Sequence, residues 1–167
     1  MTNKTEELST QTFSHLDSTG RAAMVDVSEK AVTKRTATAR SIVHLPAEVL
    51  AQLADGDLQT KKGSVFQTAI IAGIMAAKKT GDLIPLCHPL GLDNCHIDIH
   101  VNSDNEVVID CMATITAKTG IEMEALVGAS IAALTIYDMC KALSHDIVIK
   151  ETRLIEKTGG KRDFKRA

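Results

Sequence analysis

The sequence predicts an α+β fold of the ferredoxin-like type, with an antiparallel sheet and helices packed on one face of it. The first observation is a hairpin pattern: residues 95–101 and 107–118 alternate apolar and polar side chains around the turn-forming residues 102–105. The second is the order of the predicted elements, ββααββαβ. Hairpins and long connections favour an antiparallel sheet over the strict strand–helix alternation of a parallel one.

The first half of the chain is predicted to form two strands and two helices. Residues 24–27 suit a short strand, and residues 34–45 suit a longer one because they alternate in part and are rich in β-branched side chains. Pro46 occupies the favoured first turn of a helix over residues 46–55. An Ala-rich helix over residues 62–80 ends in two lysines before a glycine, as helix C-termini prefer.

The second half adds a compact apolar loop over residues 82–92, the hairpin, a long apolar helix over residues 121–143 and a closing strand over residues 146–155. The uninterrupted apolar stretch of the long helix, residues 125–137, is about 20 Å long because an α-helix rises 1.5 Å per residue. A bilayer core is ~30 Å thick, so we expect a core helix, or one buried between subunits, and no membrane partner.

Length and composition predict the domain organisation. The chain has 167 residues, 44% of them hydrophobic, which fits a single α+β domain over residues 21–167 with a flexible basic C-terminus. Residues 1–20 are polar and rich in Thr, Ser and Glu, and they are predicted to be a disordered tail. Four cysteines without C-x-x-C spacing, and no apolar leader, predict free thiols and a cytoplasmic protein.

Charge and aromatic content argue against a nucleic-acid partner. There are 19 Lys and Arg against 21 Asp and Glu, and the aromatic residues are Phe13, Phe66, Tyr137 and Phe164. Nucleic-acid binders have strongly basic surfaces, and single-strand modules stack bases on aromatic side chains. A nucleotide-derived ligand would therefore be held by charge and hydrogen bonds.

An acid–base pair follows the apolar stretch of the long helix. Asp138 and Lys141 are three residues apart, so they share one helix face. Because the pair emerges from a buried helix, we expect partial desolvation, which lets a carboxylate and an ammonium exchange protons near neutral pH. A simple surface ion pair is the competing interpretation.

Two acidic residues stand at the opposite end of this helix. Glu122 and Glu124 lie at or before its first turn, where the helix dipole favours acids. Glu124 and Asp138 fall within about 40° of each other around the helix but roughly 21 Å apart along it. One compact site in one chain cannot easily use both, so we predict an oligomer with composite sites at subunit interfaces.

Histidines and cysteines leave a metal site open as an alternative. His88 is fixed between a cysteine and a proline, and histidine titrates near neutrality, although a packed histidine is the commoner case. The possible ligands are Cys87, His88, Cys95, His96 and His100. The usual zinc spacings are missing, so we predict no dedicated metal site. A zinc-dependent hydrolase built on His88, His96 and His100 stays a second function class.

Lys61 and Lys62 could bind an anion. They precede a glycine at the predicted start of a helix, where free backbone N–H groups point at a ligand, although the pattern is not a P-loop. A second basic cluster, of Lys30, Lys34, Arg35 and Arg40, is interpreted as a solvated face. A non-catalytic anion-binding module is therefore a third function class, and solvated surface lysines are the plainer interpretation.

Three strings are long and unusual: MVDVSEKAVTKRTATA, KKGSVFQTAIIAGIMAAKKTGDLIPLCHPL and KTGIEMEALVGASIAALTIYDMCKAL. They resemble the cyclic pyranopterin monophosphate synthase family, also called molybdenum cofactor biosynthesis protein C, from about residue 24 to residue 164. Two features depart from the family's pattern. Ser64 stands where the family usually has Asp, and the string from Lys157 to Phe164 is shorter than usual.

The resemblance implies a lyase of molybdenum cofactor (molybdopterin) biosynthesis. Such an enzyme converts (8S)-3',8-cyclo-7,8-dihydroguanosine 5'-triphosphate, a GTP-derived small molecule, to cyclic pyranopterin monophosphate and releases pyrophosphate. The resemblance also implies a homohexamer, a trimer of dimers with a ferredoxin-like subunit and active sites at the dimer interface. No dedicated cofactor is implied, although Mg²⁺ can accompany the triphosphate.

The resemblance also assigns site residues. Asp138, Lys141 and Lys62 would be catalytic, with Lys62 assisting from a neighbouring subunit; because Lys61 doubles that lysine, which of the two acts stays open. The implied substrate-binding residues are Leu86, Cys87, His88, Glu122, Met123, Glu124, Arg35, Lys78 and Lys157.

Overall fold

The structure is a computed structural model that describes residues 15–17 and 19–167. The predicted disordered tail, residues 1–20, lies mostly outside the described residues. In the part of it that is described, Leu16 forms an isolated antiparallel bridge with Ala22.

Eight strands and four helices follow one another along the described chain. In order they are β1 (Thr33–His44), α1 (Ala47–Leu50), β2 (Leu53–Ala54), β3 (Asp57–Thr60), β4 (Gly63–Ser64), α2 (Val65–Ala77), α3 (Thr80–Leu83), β5 (Asn94–Val101), β6 (Glu106–Ala117), α4 (Glu122–Cys140), β7 (Val148–Thr158) and β8 (Phe164–Lys165).

The main sheet has the strand order β5-β6-β1-β7-β8, and every pair in it is antiparallel. Its principal elements run β1-α2-β5-β6-α4-β7 along the chain, which is the βαββαβ order of ferredoxin-like folds. The predicted α+β, ferredoxin-like architecture is confirmed. A second, small sheet has the order β2-β3-β4.

Both long helices cover one face of the main sheet. On β1 the residues Ala37, Ala39, Ser41 and Val43 are buried and the residues between them are half-exposed, which is the alternation of a strand covered on one side. α4 packs against β1, β6 and β7, and α2 packs against β5 and α4. By length and composition alone α4 could cross a membrane, but in this fold it is the central core helix.

The two helices approach each other closely at a pair of glycines. A Cβ on Gly73 would lie 2.7 Å from the carbonyl oxygen of Gly128, and a Cβ on Gly128 would lie 2.6 Å from Sγ of Cys111. Any larger residue would push the helices apart or away from the sheet. These glycines therefore set how deeply α4 sits in the core.

The two neighbours of β1 pair with it differently. β6 keeps an unbroken register along the whole of β1. β7 shifts register twice: Lys157 lies opposite Ala37 and Leu154 lies opposite Ala39, so Ile155 is the extra residue of a β-bulge.

Several predicted elements differ from the structure. Residues 24–27 form no strand, and the helix predicted over residues 46–55 ends at Leu50. It stops because Asp55 and Gly56 both have positive φ and form the two-residue turn between β2 and β3. The helix predicted from residue 62 begins at Val65 since the residues before it belong to the small sheet.

Candidate functional site

Most of the predicted site residues form two clusters at opposite ends of α4. Glu122 and Glu124 lie in its first turn, as predicted, and Asp138 lies near its last. The rise of an α-helix puts Glu124 and Asp138 roughly 21 Å apart, so the two clusters are separate within one chain.

A cavity of about 490 Å³ opens at the N-terminal end of α4. Its lining contains most of the predicted substrate-binding residues: Leu86, Cys87, His88, Glu122, Met123, Glu124 and Lys157. It also contains residues that the sequence did not indicate as ligands: His15, Val25, Lys30, Leu90, Thr119 and Gly120.

An ion pair joins α4 to β7 at this cavity. Nζ of Lys157 donates to a carboxylate oxygen of Glu122 at 2.7 Å, and both side chains are about one-third exposed or less. Burial alone would raise the pKa of Glu122, but the hydrogen bond from Lys157 and the positive charges of Lys157 and Arg35 lower it overall. Glu122 is therefore held as a carboxylate.

Glu124 behaves oppositely to its neighbour. It is 3% exposed, and burial raises its pKa, to which the negative charge of Glu122 adds. Partial burial of Cys87, together with the charge of Glu124, raises the pKa of the Cys87 thiol above its usual value. Cys87 thus stays a neutral thiol at physiological pH, which suits a contact residue better than a nucleophile.

The N-terminal segment closes one side of the cavity. Nε2 of His88 lies 2.9 Å from the carbonyl oxygen of Val25, and Nζ of Lys118 donates to the carbonyl of Ser28 at 2.6 Å. Because a carbonyl only accepts, Nε2 of His88 carries the proton and Nδ1 of the neutral ring is an acceptor. The same segment brings Lys30 to the cavity.

Arg35 lies in a smaller hollow of about 150 Å³ that shares Gly120, Glu122 and Lys157 with the cavity. Its guanidinium donates to the carbonyls of Ala117 and Lys118. A Cβ on Gly120 would collide with the carboxylate of Glu122, so this glycine leaves the space in which the acid sits.

The second cluster contains the three residues predicted to be catalytic. Nζ of Lys141 lies 2.6 Å from Oδ1 of Asp138, and Nζ of Lys62 lies 4.0 Å from Oδ2. The hydrogen bond from Lys141 and both positive charges lower the pKa of Asp138, and the carboxylate raises the pKa of Lys141.

The C-terminal cluster differs from the sequence prediction in two respects. Asp138 is 56% exposed, so the expected desolvation is not found in the single chain, because this side chain lies on the outer side of α4 while Ile136 and Cys140 keep the helix in the core. Lys62 reaches Asp138 within one chain, so a neighbouring subunit is not needed to bring it there. Lys61 forms no ion pair with any described residue, which distinguishes the two adjacent lysines.

The remaining basic residues are dispersed. Lys78 borders a separate hollow of about 220 Å³ beside Pro89 and Gly91, and it does not line the main cavity. Arg40 points to the opposite side of β1 from Arg35 and makes a two-pronged ion pair with Asp110. The basic cluster of the sequence therefore divides between a ligand hollow and the outer face of the sheet.

The histidines proposed as zinc ligands are also separated. His88 faces the cavity, whereas His96 and His100 lie on the exposed side of β5. Within residues 15–17 and 19–167, no three His, Cys, Asp or Glu side chains are grouped so that they could share a metal ion. The zinc-hydrolase alternative has no support in this geometry.

Comparison with known proteins identifies the family. The sequence model of the MoaC family matches residues 24–160. The cyclic pyranopterin monophosphate synthase of Xanthomonas campestris pv. campestris (strain B100) is 53% identical over 152 residues, which cover 91% of this chain and 92% of that protein. The molybdenum cofactor biosynthesis protein 1 of Dictyostelium discoideum is 51% identical over 166 residues, covering 89% of this chain and 26% of that protein.

A third relative shows the same relationship. The molybdenum cofactor biosynthesis bifunctional protein of Synechocystis sp. (strain ATCC 27184 / PCC 6803 / Kazusa) is 51% identical over 155 residues, covering 90% of this chain and 45% of that protein. The resemblance drawn from the sequence strings is confirmed. With identity at this level over nine-tenths of its length, the chain belongs to the MoaC family.

Proposed function

We propose that this chain is a cyclic pyranopterin monophosphate synthase, a lyase of molybdenum cofactor biosynthesis. It converts (8S)-3',8-cyclo-7,8-dihydroguanosine 5'-triphosphate to cyclic pyranopterin monophosphate and pyrophosphate. The observation that carries the proposal is the placement, in a member of this family, of a cavity with charged side chains in its lining and an Asp–Lys cluster at the two ends of one helix.

The cavity suits a reduced, charged, nucleotide-derived substrate. Lys30 and Lys157 place positive charge on its lining and Arg35 adds more from the adjoining hollow, so a triphosphate would be bound there. Nδ1 of His88 is free to accept from an N–H group of the guanine-derived ring. None of the described aromatic side chains lines the cavity, so the ring would be held by hydrogen bonds and not by stacking.

The two glutamates would have different roles in the ring rearrangement. Opening the purine-derived imidazole ring and closing a pyrazine ring both need proton transfers, each contributing typically 10²–10⁴-fold. Glu124, with its raised pKa, is suited to exchange a proton with the ring, while Glu122 stays ionised and holds Lys157. Asp138, Lys141 and Lys62 would transfer protons on the other side of the substrate.

Both clusters can serve one substrate only if a second chain takes part. We propose a dimer in which the N-terminal end of one α4 lies beside the C-terminal end of the other, within a homohexamer. Large apolar side chains remain exposed on the helices: Ile71 and Met75 on α2 and Leu134 on α4 are more than half exposed. A second chain covering this surface would also desolvate the Asp138–Lys141 pair.

The substrate would bring its own cation, and the cell would supply a reducing environment. Mg²⁺ prefers phosphate and carboxylate oxygens, so it would enter with the triphosphate and need no dedicated cluster of side chains. The four cysteines are free thiols in this structure, in keeping with a cytoplasmic location.

The first test is turnover of the cyclised GTP derivative. Wild-type protein should release pyrophosphate and form the pyranopterin, and Lys141→Ala should lose this activity. Lys150→Ala is a matched control because that lysine also pairs with an acid, Glu106, but belongs to neither cluster. Pyrophosphate release without pyranopterin formation, full turnover by Lys141→Ala, or loss of activity caused by removal of zinc would each refute the proposal.

The second test is complementation between two inactive variants. In a two-fold dimer mixed from Asp138→Asn and Glu124→Gln chains, one site holds both intact ends and the other holds neither. Random pairing makes half of the dimers mixed, so the mixture should regain about a quarter of wild-type activity. Light scattering should give six times the 17.9 kDa of one chain. A mixture that stays inactive after verified subunit exchange would contradict the composite site.

A further inference from the structure

Asp57 joins the small sheet to the first turn of α2. Its Oδ1 accepts the backbone N–H groups of Leu58 at 2.6 Å and Phe66 at 2.8 Å. Its Oδ2 accepts a hydrogen bond from the hydroxyl of Ser64. One carboxylate therefore connects the start of β3, the end of β4 and the start of α2.

Ser64 has two roles at the same point. Its Oγ accepts the backbone N–H of Gln67 at 3.2 Å, so it is the N-cap of α2, and its O–H donates to Asp57. A hydroxyl can do both because it is a donor and an acceptor. A residue that only accepts could cap the helix but could not reach Asp57 with a proton.

The segment between these two residues carries Lys62. β3 and β4 form a hairpin in which Thr60 pairs with Gly63, and Lys61 and Lys62 are its two turn residues. The turn is closed by the hydroxyl of Thr60, which donates to the carbonyl of Gly63 and accepts the N–H of Lys62. Fixing the open end of so short a hairpin also fixes where its turn points.

The turn points at the C-terminal end of α4. Nζ of Lys62 lies 4.0 Å from Oδ2 of Asp138, although the Lys62 side chain is 69% exposed. An exposed lysine has many conformations of similar energy, so this approach depends on the position of its backbone. Asp57 also lies close enough to Cys140, the last residue of α4, for its charge to act on that thiol.

We propose that Asp57 and Ser64 are positioning residues: their hydrogen bond fixes the hairpin so that Lys62, and not Lys61, stands beside Asp138. Only the description of Lys62 as catalytic rests on the proposed function; the geometric relation does not. The test must therefore include a measurement that does not depend on enzymatic turnover.

That measurement is the pKa of Asp138, followed by NMR of protein labelled with ¹³C at the aspartate carboxyl carbons. An exposed ion pair at this distance is expected to depress the pKa of Asp138 by about 0.2–0.7. Lys62→Ala should raise the pKa of Asp138 by this amount. Lys61→Ala removes the same charge one residue away and should change it less.

Ser64→Ala removes the hydrogen bond without changing charge, so it should raise the pKa of Asp138 nearly as much as Lys62→Ala does. Ser64→Thr, which keeps the hydroxyl, should restore the wild-type value. In the Lys62→Ala background Ser64→Ala should have no further effect on Asp138, although it still lowers the melting temperature through the lost cap.

Asp57→Asn is a second test variant, in which the direct electrostatic effect on the pKa of Asp138 is opposite to the effect of displacing Lys62. Removing a negative charge near α4 should by itself lower the pKa of Asp138, so a rise can come only from displacement of Lys62. Turnover of the cyclised triphosphate should fall in parallel, mainly through kcat. The proposal is overturned if Ser64→Ala leaves the pKa of Asp138 unchanged, or if its effect persists undiminished without Lys62. If the pKa of Asp138 changes as expected but the wild-type protein does not turn over the cyclised triphosphate, only the proposed function is refuted.

Discussion

The contact between α4 and the sheet gives a prediction whose size follows from the structure. In Gly128→Ala the new methyl group would lie 2.6 Å from Sγ of Cys111, which is fully buried on β6. Overpacking of this kind costs typically 1–3 kcal/mol, and the site is at the upper end because sheet and helix backbones must both move. Alanine regains about 1 kcal/mol of helix propensity. We expect a net loss of about 2 kcal/mol, or 4–8 °C in melting temperature.

The assay is urea unfolding followed by circular dichroism, at one fixed protein concentration because assembly contributes to stability. Gly91→Ala is the matched control, since a Cβ there meets no atom within 4 Å. Cys111→Ala removes the sulfur that the new methyl group meets. The double variant Gly128→Ala/Cys111→Ala should therefore be more stable than the sum of the two single effects.

Two results would refute this reasoning. The first is a Gly128→Ala variant as stable as the Gly91→Ala control, which would mean that the helices can separate without cost. The second is independent addition of the Gly128→Ala and Cys111→Ala effects, which would place the strain somewhere other than at this contact.

Three further predictions concern the cavity. Glu122→Gln should lower the free energy of unfolding by about 1.5–3 kcal/mol at pH 7. Because folding lowers the pKa of Glu122, this difference in stability from wild type should shrink as pH falls below 4.5, the ordinary pKa of a glutamate. A difference that is the same in urea titrations at pH 7 and pH 4 would contradict the prediction. Gly120→Ala should displace the Glu122 carboxylate from Lys157, so it should lower the melting temperature in the same direction as Glu122→Gln and raise KM about tenfold, the equivalent of one lost charged hydrogen bond; an unchanged KM and melting temperature would show that the carboxylate can move freely. Partial burial raises the pKa of the Cys87 thiol above 9.0, so iodoacetamide should alkylate it more slowly at pH 8 than a free peptide thiol, as mass spectrometry can measure; equal rates would exclude a protected neutral thiol.

The sequence predicted those parts of the fold that depend on local patterns. The period-two segments became β5 and β6, and the long apolar run became α4, each within a few residues of the predicted bounds. The site residues required the family resemblance, because neither spacing nor charge alone distinguishes Asp138 and Lys141 from an ordinary surface pair. The positions of both glutamates in the first helical turn did follow from the sequence.

The parts that could not be predicted depend on contacts between distant residues. The segment that closes the cavity is held by His88 on Val25, 63 residues away, and by Lys118 on Ser28, 90 residues away. Lys30 therefore had the appearance of a solvated surface charge. Among these parts, only the small sheet has a local sequence signal. The Asp-Gly pair at residues 55–56 is a hairpin signature, and it lies at the end of the predicted helix over residues 46–55.

The bulge at Ile155 reverses the alternation of inward- and outward-facing side chains partway along β7. Before it, Leu154 faces the helices and fills the core; after it, Lys157 faces the same side and meets Glu122 on α4. Two residues three positions apart cannot do this in a regular strand, since successive side chains alternate between faces. If the same residues formed a regular strand without the bulge, Lys157 would turn towards the open face of the sheet and Glu122 would lose its cation, whereas deletion of Ile155 would leave Leu154 and Lys157 two positions apart and both on the helix face. The contact between Lys157 and Glu122 therefore depends on the backbone irregularity at Ile155 as well as on the two charged side chains.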